Sequence, residues 1–387
     1  MNDLGGLGNF NILFLQAING FNEEGGSNDE ESEVQPPKSK KIRVNIEPII
    51  TTKKYKWRQF KPITEITDIT TIDQLLDLAW YYKEPIETTY KFDYFYLWKL
   101  IPSLTELQKM IGMSKFKEDV VNMVITCINS KMYSERIKNS SSADMFHTVI
   151  CGKPGVGKTR VAGILANIYS AIGILPTNNV TYAKRSDFIG KYIGHTEHKT
   201  EELLKKAKGG VLFIDEAYSM GSKNKTDVFS KAAIDLLNQF LTENYEDTIC
   251  IIAGYKTEIE ENFFSINKGL ERRFTQRFYI EDYTYNELYK MFVLNVKQKG
   301  WHISNRDPID DEFFKTHIKD FKFFGGDMDT LFSKCKVIYN KRIFGKPLPK
   351  DEEYGTLTQT DLIEAHKLWM KNRNTTDDEC VPEGLYI

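Results

Sequence analysis

The chain has 387 residues, 41% of them hydrophobic, enough for more than one core, and its 52 Lys and Arg against 54 Asp and Glu leave a formal charge of −2. That balance excludes the overall cationic field of a generic nucleic-acid binder, so any basic patch must be local. Five cysteines, at 127, 151, 250, 335 and 380, form no Cys-x-x-Cys pair and no histidine-flanked metal spacing, which points to reduced, mostly buried thiols inside a cell and to no structural zinc.

In chain order, the apolar stretch from Phe10 to Leu15 lacks the positive flank of a secretory signal, since Asp3 stands there, and no run is long enough to cross a bilayer. A soluble, cytoplasmic chain without a membrane partner is expected, in a host's cytoplasm if the source is viral. Between Asn22 and Lys41 the acids Glu23, Glu24, Asp29, Glu30, Glu31 and Glu33 precede Pro36-Pro37, so residues 1–45 read as a disordered or loosely ordered extension. Apolar and aromatic residues return over 46–103, with Ile72, Leu75, Leu76, Leu78 and Ala79 at helical spacing and a cluster of Phe92, Tyr94, Phe95, Tyr96 and Trp98. This reads as a small accessory domain. Its basic and aromatic stretch, Lys53 to Lys61, could neutralise phosphates and stack bases.

From Leu104 to Ser130 apolar residues follow a helical period, with a turn at Gly112. The run His147-Thr148-Val149-Ile150-Cys151 then reads as a strand, and β-branched runs recur at 179–182, 211–215, 248–253 and 277–280, alternating with amphipathic helices. Such alternation predicts an α/β core over 104–281, a parallel sheet between helices. After Asp282 the patterns are helical, near 284–299, 308–319, 326–341 and 359–371, the first opened by a capping box at Thr284 and Glu287. An all-helical lid over 282–372 and a flexible tail over 373–387 complete the expectation.

Two motifs carry chemistry. Gly152-Lys153-Pro154-Gly155-Val156-Gly157-Lys158-Thr159 is a complete phosphate loop between a strand and a helix, whose glycines let backbone N–H groups approach phosphates at a positive helix end. Lys158 would reach the β- and γ-phosphates and the Thr159 hydroxyl would bind Mg²⁺. Val211-Leu212-Phe213-Ile214-Asp215-Glu216 is a buried strand ending in two carboxylates, Asp215 for Mg²⁺ through water and Glu216 to orient the attacking water. His195 and His198 lack a third metal ligand and read as solvated.

These motifs, together with Met110-Ile111-Gly112-Met113, Lys191-Tyr192-Ile193-Gly194-His195-Thr196, Asp215-Glu216-Ala217-Tyr218, Ala253-Gly254-Tyr255 and Gly269-Leu270-Glu271-Arg272-Arg273-Phe274, resemble the CbbX/CfxQ family of AAA+ ATPases, which includes the stage V sporulation ATPases. The resemblance spans about 104–370. It implies an AAA+ P-loop NTPase core with a helical lid, ATP and Mg²⁺ as ligands, and a homo-oligomeric ring, a hexamer, that pulls on a protein client. It also implies that Ile111 and Gly112 touch adenine, that Tyr192 and Ile193 form the substrate pore loop, and that Arg273 reaches the neighbouring subunit's nucleotide, with Arg272 as the alternative finger and Glu271 as the local acid that could occupy Arg273 instead. The family's lid arginine is missing from Gly325 to Leu331, with Lys334 or a neighbouring subunit as substitutes. The expected function is therefore an ATP-hydrolysing protein remodeller. The alternatives are an ATPase acting on nucleic acid through 53–61, and an ATP-binding switch with little turnover.

Overall fold

A computed structural model of the chain describes residues 69–81, 95–136, 144–190, 192, 194–221, 227–345 and 354–378. The extension 1–45, the segment Lys53 to Lys61, Ile193 and Cys380 lie outside the described residues. All that is described belongs to one unit, Glu65–Ile387.

Five short apolar runs form the sheet: β1 (Thr148–Cys151), β2 (Val180–Ala183), β3 (Val211–Ile214), β4 (Ile249–Gly254) and β5 (Gln276–Tyr279), in the order β2-β3-β4-β1-β5. Every pairing is parallel, β1 lying between β4 (Thr148 opposite Ile251) and β5 (Thr148 opposite Gln276). β1, β3 and β4 are buried along their whole length, as strands covered on both faces must be. Side chains alternate between two cores: Ile150, Phe213 and Ile251 face one, and Val149, Leu212, Ile214, Cys250 and Ile252 the other.

Helices α1 (Ile72–Tyr81), α2 (Phe95–Lys109), α3 (Ser114–Arg136) and α4 (Lys158–Ile172) supply the first core. The second is filled from α5 (Arg185–Phe188), α6 (His195–Ala207), α7 (Val228–Glu243), a π-helical turn (Ile259–Phe264) that follows α8 (Lys256–Glu258), and α9 (Lys268–Glu271). α2 runs unbroken across the boundary that the sequence suggests between 103 and 104. Its Leu100, Leu104 and Leu107 are wholly buried in the cluster that also holds Leu75 and Ala79 of α1 and Leu165 of α4. The described part of the expected accessory domain is thus a layer of the core, because its apolar face is covered by the core's own helices.

The lid contains α10 (Tyr285–Gln298), α11 (Glu312–Thr316), α12 (Gly325–Ile343) and α13 (Gln359–Asp378). The capping box forms: the Thr284 N–H donates to Glu287 Oε2 at 2.7 Å and the Glu287 N–H to Thr284 Oγ1 at 3.3 Å. The lid is not wholly helical. Its two connections run extended side by side and pair as β6 (His302–Ile303) with β7 (Thr356–Leu357), satisfying backbone groups that no helix takes up. Arg342 braces the pair, donating to both carboxylate oxygens of buried Asp361 at 2.9 Å and to the Thr356 carbonyl at 3.0 Å. α13 continues to Asp378, so the tail expected from 373 starts as helix. Among the described residues no helix is long and apolar enough to cross a membrane, and no group of His, Cys, Asp or Glu could hold a metal by itself. The four described cysteines are buried and free.

At the amino edge of the sheet, wholly buried His147 accepts a hydrogen bond from the Cys250 N–H at Nδ1 (3.1 Å), which leaves Nε2–H to face the Leu241 carbonyl at 3.3 Å. Burial pulls its pKa down to about 4.

Two outcomes are expected. Leu104→Ala lowers unfolding stability by about 2–5 kcal/mol, read as the urea midpoint; an unchanged midpoint would mean that α2 is not part of the core. Unfolded, His147 protonates near 6.5, but folded only near 4. Its contribution is complete above pH 6.5 and is lost as the pH falls through 4, a swing of about 3 kcal/mol. The stability difference between the wild type and His147→Asn, followed against pH, should shrink across that window.

Candidate nucleotide site

β1 delivers the phosphate loop to the carboxyl edge of the sheet and α4 begins at Lys158. The loop needs its glycines: Gly155 (φ +76°) and Gly157 (φ +95°) take left-handed backbone, and a Cβ on Gly155 would lie 2.0 Å from the Phe323 carbonyl oxygen. That contact is with the lid, whose Gly325 N–H donates to the Gly155 carbonyl at 3.3 Å. The chain enters α12 through Phe324 at φ +41°, a strained value for a bulky residue. Lys158 Nζ donates to the Gly152 and Lys153 carbonyls, both at 2.9 Å, across the mouth of its own loop. Burial lowers its pKa, against the opposing pull of Asp215 and Glu216.

β3 ends one strand away from β4 and two from β1, so Asp215 and Glu216 emerge beside the loop. Asp215 Oδ1 accepts the Glu216 N–H at 3.0 Å, and Glu216, exposed, has φ +49°. A non-glycine residue in that conformation stores strain of the kind found at functional sites. The Tyr218 phenol is pushed up to about 12, first by burial and then by the Glu216 carboxylate, and its ring lies 6.0 Å from that of Tyr255 at the end of β4. Thr159 is exposed. These donors fit a nucleotide and Mg²⁺: an ammonium on main-chain carbonyls that phosphate oxygens could replace, an exposed hydroxyl, and a carboxylate. A magnesium ion there would take its remaining positions from water and phosphate.

The turn between α2 and α3 covers the loop. Gly112 has φ +68°, and a Cβ on Gly157 would touch the Met113 and Met110 methyls at 3.4 and 3.6 Å. Ile111 and Gly112 are half-buried there, beside Tyr283 and Glu287 at the start of the lid, and could frame a base. Three contacts had no signal as motifs. The Tyr283 hydroxyl donates to the Val156 carbonyl at 3.0 Å, Lys153 pairs with Asp282 at the hinge, and Lys153 also lies 5.8 Å from the Phe324 ring. Only the chain's return from β5 brings them to the loop.

Arg273 is not at this site. It lies just before β5, at the amino edge, with Nε donating to Thr242 Oγ1 at 2.7 Å and Nη1 to the Gly269 carbonyl at 2.6 Å. Glu271 is taken by Arg277 at 2.9 Å instead, and Arg272 is exposed without a hydrogen bond or ion pair among the described residues. Tyr192 stands apart as well, 67% exposed on the loop after α5, its ring edge-on to His195 at 5.5 Å. An open cleft of about 1130 Å³ lies beside it, lined by Arg185, Ile189, His195, His198 and Lys199 among others.

A five-stranded parallel sheet with a phosphate loop, a paired carboxylate on the second strand inward from the edge and a helical lid define an AAA ATPase, and the family of ATPases associated with various cellular activities matches residues 148–282. A cfxQ-like protein of Acanthamoeba polyphaga mimivirus is 39% identical over 242 residues, 62% of this chain and 58% of that protein. Stage V sporulation protein K of Bacillus subtilis is 33% identical over 200 residues, 51% and 61% respectively, and the CfxQ homolog of Galdieria sulphuraria 34% over 209 residues, 53% and 67%. The chain belongs to the CbbX/CfxQ family of AAA ATPases. It spans about three fifths of the length of the mimivirus and Bacillus relatives.

Lys158→Ala should abolish binding of a fluorescent ATP analogue while leaving the fold intact by circular dichroism. Gly155→Ala should weaken it more than tenfold, because the added methyl drives the lid off the loop; unchanged affinity would show that the Gly155–Phe323 approach is dispensable.

Proposed function

We propose that the chain binds ATP with Mg²⁺ at the carboxyl edge of its sheet and hydrolyses it within a homo-oligomeric ring, a hexamer, to pull a partner polypeptide past Tyr192 and Ile193. In this reading the main chain from Gly152 to Gly157 cradles the phosphates, Lys158 neutralises them, Glu216 orients the attacking water, and Ile111 and Gly112 hold the base. Mg²⁺, held through Thr159 and Asp215, supplies charge neutralisation on the transferring phosphoryl group. The lid over 282–372 follows the nucleotide through Gly325 and Tyr283. Client choice is assigned to the part of the chain before α1, and the free cysteines suit a reducing cytoplasm.

One observation carries the ring: Arg273 and the phosphate loop sit at opposite edges of a parallel sheet, separated by a four-residue strand of roughly 13 Å. A guanidinium at the amino edge cannot serve its own chain's phosphates, but it can serve those of the next subunit, where a finger accelerates transfer by about 10³ to 10⁵.

A second reading, an ATP-binding switch with little turnover, is favoured by the start of α12. No cation stands between Gly325 and Leu331, Met328 there is buried, and Lys334 lies roughly two turns further on.

Arg273→Ala should retain nucleotide binding and lose at least 10²-fold in turnover at high protein concentration, and Glu216→Gln should trap ATP. Wild-type hydrolysis no faster than that of Glu216→Gln would establish the switch instead. Unfolded polypeptide should accelerate wild-type hydrolysis, and Tyr192→Ala should abolish that response. Acceleration by single-stranded DNA alone, indifferent to Tyr192→Ala, would replace threading with action on nucleic acid.

A further inference from the structure

His147 lies away from the phosphate loop, yet it contacts the last turn of α7, which holds Arg273 Nε, and Phe274, the residue after Arg273. The Arg273 guanidinium is fixed at Nε by Thr242 Oγ1 and at Nη1 by the Gly269 carbonyl, so its aim depends on the last turn of α7 and on α9. The residue before Thr242 is Leu241, whose carbonyl faces His147 Nε2 at 3.3 Å. The ring is locked from its other side, because Nδ1 accepts the Cys250 N–H of β4 and leaves the proton on Nε2. Its face lies 5.9 Å from the ring of Phe274, the residue after Arg273, and its own carbonyl takes the Gln276 N–H where β5 begins, at 3.2 Å. The α7 turn that holds Arg273 Nε and the chain that follows Arg273 into β5 are therefore both referenced to one buried residue. That residue immediately precedes β1, the strand that delivers the phosphate loop.

We propose that His147 is a positioning residue that sets the aim of Arg273 at the neighbouring subunit's nucleotide and ties that aim to the strand carrying its own phosphate loop. The proposal rests on the reading of Arg273 as a finger acting between subunits. Small displacements of a group that must meet a transferring phosphoryl cost far more in rate than in binding, which is the signature to look for.

Two variants test it. His147→Asn keeps an acceptor toward Cys250 but is too short to reach Leu241, and Thr242→Val removes the oxygen that receives Arg273 Nε at an exposed position where folding is not at stake. Each should lower kcat by about 10- to 100-fold with ATP affinity within about twofold of wild type. Neither should slow the Arg273→Ala protein further, since all three act through one group. Mixing either variant with excess Glu216→Gln subunits, whose fingers are intact, should restore hydrolysis at the variant's own sites. Arg273→Ala mixed in the same way is the control. If the control recovers and the His147→Asn and Thr242→Val mixtures do not, or if their losses multiply with that of Arg273→Ala, the positioning role is wrong. If the Arg273→Ala mixture itself fails to recover, the finger between subunits is wrong and the proposal falls with it.

Discussion

The parallel pairing of β1 with β4 on one side and β5 on the other is the constraint from which the rest follows. A parallel sheet has two unlike edges. At the carboxyl edge the chain leaves β1 as the phosphate loop, β3 as Asp215-Glu216 and β4 as Tyr255, so three unrelated stretches converge on one place. At the amino edge the same strands are entered, and there His147, Leu241, Thr242 and Arg273 form a second cluster. One pairing thus builds a site and, on the far side, places the guanidinium that the proposed ring would present to the next subunit.

The lid is joined to the core by contacts that a nucleotide would have to negotiate. Gly325 bonds to Gly155, Tyr283 to Val156, and Lys153 to Asp282, so the phosphate loop and the hinge share hydrogen bonds. The two regions also share one apolar cluster, in which Ile280 and Tyr283 adjoin Leu288, Phe292 and Phe324. The lid is thus tied to the loop's own backbone without a cationic side chain at the start of α12. The absence of the family's arginine from that helix therefore leaves the lid's connection to the site in place.

The exposed elements stand in contrast. Tyr192 sits between Gly190 and Gly194 on the loop after α5, and among the described residues its one aromatic contact is with His195. Nothing in the described chain buries it, as the proposed pore-loop role requires. Arg273, by comparison, is tied down at two of its three nitrogens, leaving Nη2 without a hydrogen bond among the described residues. Under the function proposed above, a finger that meets one phosphate gains from such pre-organisation, and a ring that meets many polypeptides gains from its absence.

Much was legible in the chain itself. The phosphate loop, the paired carboxylates, the capping box at Thr284 and the strand positions to within a residue follow from local rules: glycine's access to positive φ, the covering of both faces of parallel strands, and the competition of side chains for backbone N–H groups at helix starts. Other features depend on residues far apart in the chain and had no local signal. The first part of α2, up to residue 103, reads as part of a separate domain until its Leu100 is seen buried with Leu165 of α4, and the β6–β7 pair is too short to show a period. His147 reads as the polar start of a strand, yet its role comes from Leu241 and Cys250, roughly a hundred residues away. Local sequence determined which groups could do chemistry, because propensity and turn geometry act over a few residues; which groups meet was decided by tertiary packing, because burial and sheet order are set only when the whole core closes.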